Sequence, residues 1–193
     1  MDTAPAPLLP WDIHPALTAS RLALCARLLV RGRSDAVSRA EPRMGDDAWS
    51  VGCRAYSFSR HQLRRAAESG RHPWLRILDD TQHFVFLIDG VPVRFYRGSP
   101  DDPGGRTLAN HEIEARQMGL LPARTGDAEG LLFRLAVETG GEGEVKRVVF
   151  LALRGEDAEC FWPVPLDIAA EALRLPPRRG ARAEGQMSLP IEA

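Results

Sequence analysis

The sequence lacks a long apolar run, a basic leader and any excess of charge. No stretch approaches the roughly 20 apolar residues of a membrane-spanning helix, and residues 1–10 have neither a basic start nor a long apolar segment. The formal net charge is only -1, so no overall field attracts the molecule to nucleic acid or to an anionic membrane. We therefore expect a cytoplasmic protein with no membrane partner, in which any contact with DNA comes from a local patch.

Cysteine is scarce, and metal or nucleotide motifs are missing. Cys25, Cys53 and Cys160 lie far apart within apolar segments, which favours buried, reduced thiols over disulfides. The five histidines are scattered and form no pair with metal-ligand spacing. A Walker A loop and a glycine-rich dinucleotide fingerprint are also absent. We predict no metal and no cofactor, and a nucleotide-driven motor or a Rossmann dehydrogenase is disfavoured.

Helical periodicity dominates the first part of the chain. Thr18 precedes a series of apolar residues at helical spacing that includes Leu22 and Leu29. The series continues past Gly32, so the pattern predicts a long first helix that Gly32 can bend.

A second helical segment follows, which Asp46 or Asp47 can cap. It ends near Gly70 and forms either one helix or two that separate near Ser57. Residues 72–80 are then predicted to form a short helical turn.

A β-hairpin is the clearest local signal. The apolar runs 84–88 and 91–96 flank Asp89-Gly90, a pair that a two-residue type I′ turn prefers. Pro92 cannot donate a hydrogen bond, so this position lies on an edge strand or turns outward.

The second half of the chain reads mainly as strands. Residues 131–138, 145–153 and 159–164 are predicted strands joined by glycine-containing turns. Residues 111–118 and 167–175 are predicted short helices. Because the helices come first and the turns are short, we predict an α+β fold: an antiparallel sheet of about five strands with N-terminal helices packed on one face.

The chain divides into three predicted parts. Residues 1–15 carry four prolines and are expected to form an extended arm, anchored through Trp11 and Ile13. Residues 16–175 form a single domain. Residues 176–193 form a flexible linker and a peptide motif, since residues 178–185 offer no apolar side chain larger than alanine.

The peptide that follows the linker reads Gln186-Met187-Ser188-Leu189-Pro190-Ile191. It resembles the motif through which bacterial replication and repair proteins bind the DNA sliding clamp, commonly written Gln-Leu-Ser-Leu-Pro-Leu or Gln-Leu-Ser/Asp-Leu-Phe. The resemblance implies that Gln186 is a polar anchor in a small pocket and that alternate side chains of an extended peptide enter an apolar groove. The implied apolar anchors are Met187, Leu189 and Ile191. Two of these depart from the common motif, so moderate affinity is expected.

Arginines mark a second candidate surface. Arg60, Arg64 and Arg71 lie near one side of the second helical segment, while Arg94 and Arg97 flank Phe95-Tyr96 in the hairpin. Such groups can contact DNA phosphates. The alternatives are a solvated helix face and ion pairs with acids on neighbouring strands.

These features predict an accessory or regulatory protein of bacterial or phage DNA replication or repair that binds the sliding clamp and catalyses no reaction, with DNA as a second candidate partner. A protein that blocks the clamp groove would act as an inhibitor or toxin. The alternatives are a small clamp-recruited nuclease that uses Asp79 and Asp80 with a divalent metal, and a plain protein-interaction domain.

Overall fold

The computed structural model describes residues 8–109, 112–120 and 130–167. The helices and strands of this part are, in chain order, α1 Pro10–Ile13, α2 Ala19–Val37, a 3-10 turn Pro42–Met44, α3 Ala48–Glu68, β1 Leu75–Asp79, β2 Val85–Ile88, β3 Val91–Arg97, α4 Gly105–Leu108, α5 Glu112–Gly119, β4 Leu132–Thr139, β5 Val145–Arg154 and β6 Asp157–Pro163. The first seven residues, all but the first residue of the predicted helix 167–175, and the linker and peptide 176–193 lie outside the described residues. None of the described helices is both long and apolar enough to span a membrane.

The six strands form one sheet in the order β1-β2-β3-β4-β5-β6. Every neighbouring pair is antiparallel except β3 and β4, which are parallel. The predicted α+β class is therefore confirmed, with six strands instead of five and one parallel pair. A parallel pair needs a crossover connection between its strands, and residues 98–131, which include α4 and α5, make that connection.

The sixth strand is β1, where the prediction of a helical turn was wrong. Leu75 pairs with Ile88 and is 1% exposed, and Ile77 also packs against the core, whereas Arg76 between them points outward. This alternation spans too few residues to be distinctive in the sequence. The hydrogen-bonding edge that stabilises this strand comes from β2, which follows it in the chain.

Side-chain caps begin the two long helices. The Thr18 hydroxyl accepts a hydrogen bond from the Arg21 amide at 3.4 Å. An Asp47 carboxylate oxygen accepts from the amides of Trp49 and Ser50 at 3.0 and 2.8 Å. These bonds satisfy amides that have no partner within the helix. The second predicted helical segment, which was expected to form either one helix or two, forms one continuous helix, α3.

Gly32 allows α2 and α3 to cross closely and does not interrupt α2. A β-carbon at residue 32 would lie 2.5 Å from the backbone nitrogen of Ser59. The Ser59 hydroxyl donates to the carbonyl of Leu29 at 3.3 Å, across the same crossing. The contact therefore requires glycine at residue 32.

The predicted hairpin is confirmed. Asp89 and Gly90 have φ angles of 53° and 91°, and two positive values are the signature of a type I′ turn. Pro92 lies in β3, which is an interior strand, opposite Leu87. Ile88 and Val91 close the two-residue turn, and the next pair, Leu87 and Pro92, is of the kind that exchanges no hydrogen bonds. On the other side of β3, pairing with β4 begins only at Val93. Proline therefore costs the sheet no bond.

The main core lies between the sheet and the two long helices. Buried apolar side chains of α2 and α3 pack there against alternate residues of the strands, including Phe86, Val93, Phe133, Leu135 and Phe150. A smaller apolar cluster lies on the opposite face around Ala136, Val149 and Leu151.

The N-terminal arm packs against the far strand of the sheet. Residues 10–13 form one helical turn where an extended arm was expected. Trp11 meets the ring of Trp162 edge-on, with 5.4 Å between centroids, and Ile13 packs against the core. The arm is therefore anchored through the expected side chains.

Gly32→Ala should destabilise the domain, because the new methyl group collides with the backbone of α3. We expect the free energy of unfolding to fall by about 1–3 kcal/mol. Gly141→Ala is the matched control, since a β-carbon added at residue 141 would have no atom within 4 Å and the φ angle there suits alanine. Urea unfolding followed by circular dichroism measures both. Equal midpoints for the two variants would contradict the close crossing.

Candidate functional site

The predicted basic residues do not form one surface. Arg60 and Arg64 of α3 both pair with Asp80, at 2.9 and 3.0 Å. Arg71 lies exposed beyond the end of α3. The two hairpin arginines are on opposite faces of the sheet, because Arg94 aligns with Arg134 of β4 whereas Arg97 aligns with Val137.

The two carboxylates of the nuclease alternative are occupied by other contacts. Asp80 accepts from the guanidiniums of Arg60 and Arg64. Asp79 caps a local turn through a 2.7 Å bond from the amide of Thr81. Two positive charges beside Asp80 oppose the binding of a divalent cation there. Within the described ranges, no group of three or more metal-ligating side chains is brought together.

A buried ion pair connects the crossover to the sheet. Arg134 of β4 is 1% exposed, and its guanidinium makes a bidentate pair with Glu114 of α5 at 2.7 and 3.4 Å. The other bonds go to the carbonyls of Thr107, Ala109 and Phe133. All five N–H groups of the arginine therefore donate, which is what a buried charge requires.

Arg94 and Tyr96 complete this cluster. Arg94 lies 3.5 Å from the second carboxylate oxygen of Glu114 and also donates to the carbonyl of Ala109. Burial raises the pKa of Tyr96 to about 12, so its phenol stays protonated and donates to the carbonyl of Ser99 at 3.0 Å. These bonds hold residues 99–109 and helix α5 against the sheet, so we assign the cluster a structural role.

A different pair of arginines lines a cavity on the helix-covered face. Arg33 of α2 is 6% exposed, and its Nε donates to the carbonyl of Gly143 at 2.7 Å. Arg97, at the end of β3, is exposed and lies over Gly52 of α3. The cavity has a volume of about 50 Å³, and the rest of its wall is mostly apolar, with Leu29, Ala55, Tyr56, Phe95 and Val137. This cavity is the candidate site.

The sequence pointed to Arg97 but missed Arg33 and Arg134, and it favoured an exposed position for Glu114, which is buried. Arg33 follows Leu29 by four residues, so helical spacing already placed it on the apolar face of α2. Arg134 interrupts an apolar run in β4. Each of these two arginines was thus detectable as a charge in a buried position.

The cysteines differ in their surroundings. Burial raises the pKa of the Cys25 thiol to about 12 and that of Cys160 to about 11, so both remain protonated. Cys53 is exposed on α3, and the expectation that all three thiols are buried was wrong for this residue. The reason is that Cys53 lies on the solvent side of a helix whose other side meets α2.

The four predicted clamp-binding residues, Gln186, Met187, Leu189 and Ile191, lie outside the described residues. Their assignment stays a prediction from the sequence. No family model matches the chain, and no curated protein or solved structure is significantly similar to it. Function is therefore inferred from the residues themselves.

Breaking the buried pair should be costly. Arg134→Met leaves Glu114 buried without its main partner, and we expect a loss of about 3–5 kcal/mol in the free energy of unfolding. The matched control is Arg116→Met, which removes an exposed pair with Glu112 and should change stability by less than about 0.5 kcal/mol. Chemical denaturation measures both variants. Similar losses would show that the Arg134 pair is not a buried anchor.

Proposed function

We propose that this chain is an accessory or regulatory protein of bacterial or phage DNA replication or repair that binds the polymerase sliding clamp through residues 186–191. The observation that carries the proposal is the Gln-Met-Ser-Leu-Pro-Ile sequence, placed after the polar segment 178–185. A polar segment before the motif separates it from the apolar sequence of the domain. This spacing suits a peptide that is bound by another molecule.

The residue types match the binding mode. The side-chain amide of Gln186 can both donate and accept in a small polar pocket. Met187, Leu189 and Ile191 alternate along an extended peptide and therefore project to the same side, and Pro190 restricts the unbound peptide toward extended conformations. Each fully buried apolar side chain contributes about 1.5–3 kcal/mol. After the cost of association, we expect a Kd on the order of micromolar.

Two functional outcomes share this binding step. A chain that occupies the groove excludes other clamp partners and inhibits synthesis, as an inhibitor or toxin would. A chain that shares the clamp instead positions its domain beside DNA. Primer extension on clamp-loaded templates distinguishes them, because only a blocker lowers polymerase processivity as its concentration passes its Kd for the clamp.

Binding of the full chain to a purified bacterial sliding clamp tests the proposal by surface plasmon resonance. Gln186→Ala and Leu189→Ala should each weaken binding by about tenfold or more, since each removes an anchor. Ser188→Ala is the matched control within the motif. Its side chain is predicted to face backbone or solvent, so its affinity should stay within about threefold of the parent chain.

A clamp-binding peptide from a polymerase should compete with the full chain, because both use one groove. Absence of binding by the folded chain would refute the proposal. If neither Gln186→Ala nor Leu189→Ala weakens binding, or if the polymerase peptide does not compete, the contact with the clamp lies outside residues 186–191.

A further inference from the structure

The cavity beside Arg33 contains positive charge without a compensating acid. Within the described part of the chain, neither Arg33 nor Arg97 forms an ion pair with a carboxylate. The Nη1 atom of Arg33 is enclosed and has no hydrogen-bond partner among the described residues. An unpaired buried donor on a charged group is costly. An anion in the adjoining cavity would offset the charge of the Arg33 guanidinium.

The two guanidiniums also act on each other. Burial lowers the pKa of Arg33, and repulsion from Arg97 lowers it further. Like charges that face one cavity are stabilised by an anion placed between them. The surrounding fold holds both in place, because the Gly143 carbonyl fixes Arg33 and Arg97 lies against Gly52, where a β-carbon would approach its Nη1 to 3.3 Å.

The size and lining of the cavity restrict the ligand. A single water needs about 10–15 Å³, so a cavity of about 50 Å³ has room for a small ligand but not for a large one. This is the scale of one tetrahedral oxyanion. Two guanidiniums favour a doubly charged partner, and arginine forms bidentate bonds with phosphate oxygens.

The geometry points to a binding site for a single phosphate group, free or carried by a nucleotide, between the guanidiniums of Arg33 and Arg97. Both arginines line the cavity: Arg33 is buried in its wall, and Arg97 is exposed to solvent. Arg33 and Arg97 are separate in sequence from the predicted clamp motif 186–191, so the two proposals can be tested independently.

Calorimetric titration of the full chain with sodium phosphate, sodium acetate and a deoxynucleoside monophosphate, at constant ionic strength and neutral pH, tests this site. We expect one phosphate per chain and much weaker binding of acetate. Arg97→Met and Arg33→Met should each weaken phosphate binding by about tenfold or more, because each removes charge-assisted hydrogen bonds. Arg31→Met should stay within about twofold, since this exposed arginine of the same helix does not line the cavity.

A second measurement separates ligand binding from a structural role. Arg97→Met removes a like charge near Arg33, so without phosphate its unfolding midpoint should equal or exceed that of the parent chain. Phosphate should raise the midpoint of the parent chain and of Arg31→Met but not that of Arg97→Met.

The two phosphate sources are distinguished by relative affinity. Tighter binding of the nucleotide assigns the site to nucleotides, and equal or tighter binding of inorganic phosphate assigns it to the free ion. The inference is overturned if the folded chain binds neither, if acetate binds as tightly as phosphate, or if Arg97→Met binds phosphate as the parent chain does.

Discussion

The parallel pairing of β3 with β4 is the constraint on which the rest of the structure depends. It forces the chain between residues 98 and 131 to return along the sheet before β4 can begin. The buried pair of Arg134 with Glu114 fastens this connection, because the carboxylate comes from α5 and the guanidinium from β4 itself. The same register aligns Arg97 with Val137, on the face that α2 and α3 cover.

Two buried arginines in this fold, Arg134 and Arg33, differ in the hydrogen bonds that their guanidiniums make. Arg134 uses every N–H group and faces a carboxylate, so nothing remains for a ligand to satisfy. Arg33 has an enclosed Nη1 with no partner in the described ranges, and its charged neighbour is the guanidinium of Arg97. Burial alone therefore does not identify a functional arginine. What distinguishes Arg33 is the cavity that it lines together with the like charge of Arg97, and the proposed oxyanion site rests on that pairing.

Local chemistry made much of the fold predictable, and nonlocal contacts limited the rest. Asp89-Gly90 specifies its hairpin through positive φ angles, and Asp47 marks the start of α3 by capping it. Strand β1 was missed because its five residues are too few to show a clear alternation, and its strand conformation depends on hydrogen bonds with β2. The parallel pair was missed because no residue in β3 or β4 encodes strand direction. Arg33 lay on the apolar face of α2, but its proximity to Arg97 depends on helix packing that the sequence pattern does not reveal.

In the two proposals, recruitment is separate from the folded domain: residues 186–191 would bind the clamp, and the domain would bind an oxyanion beside Arg33 and Arg97. Hydrogen–deuterium exchange of the full chain, with and without a bacterial sliding clamp, tests this separation most directly. Slower exchange is predicted for residues 186–191, with no change in α2, α3 or the strands that line the Arg33 cavity. Unchanged exchange in residues 186–191, together with new protection on the domain, would contradict the account.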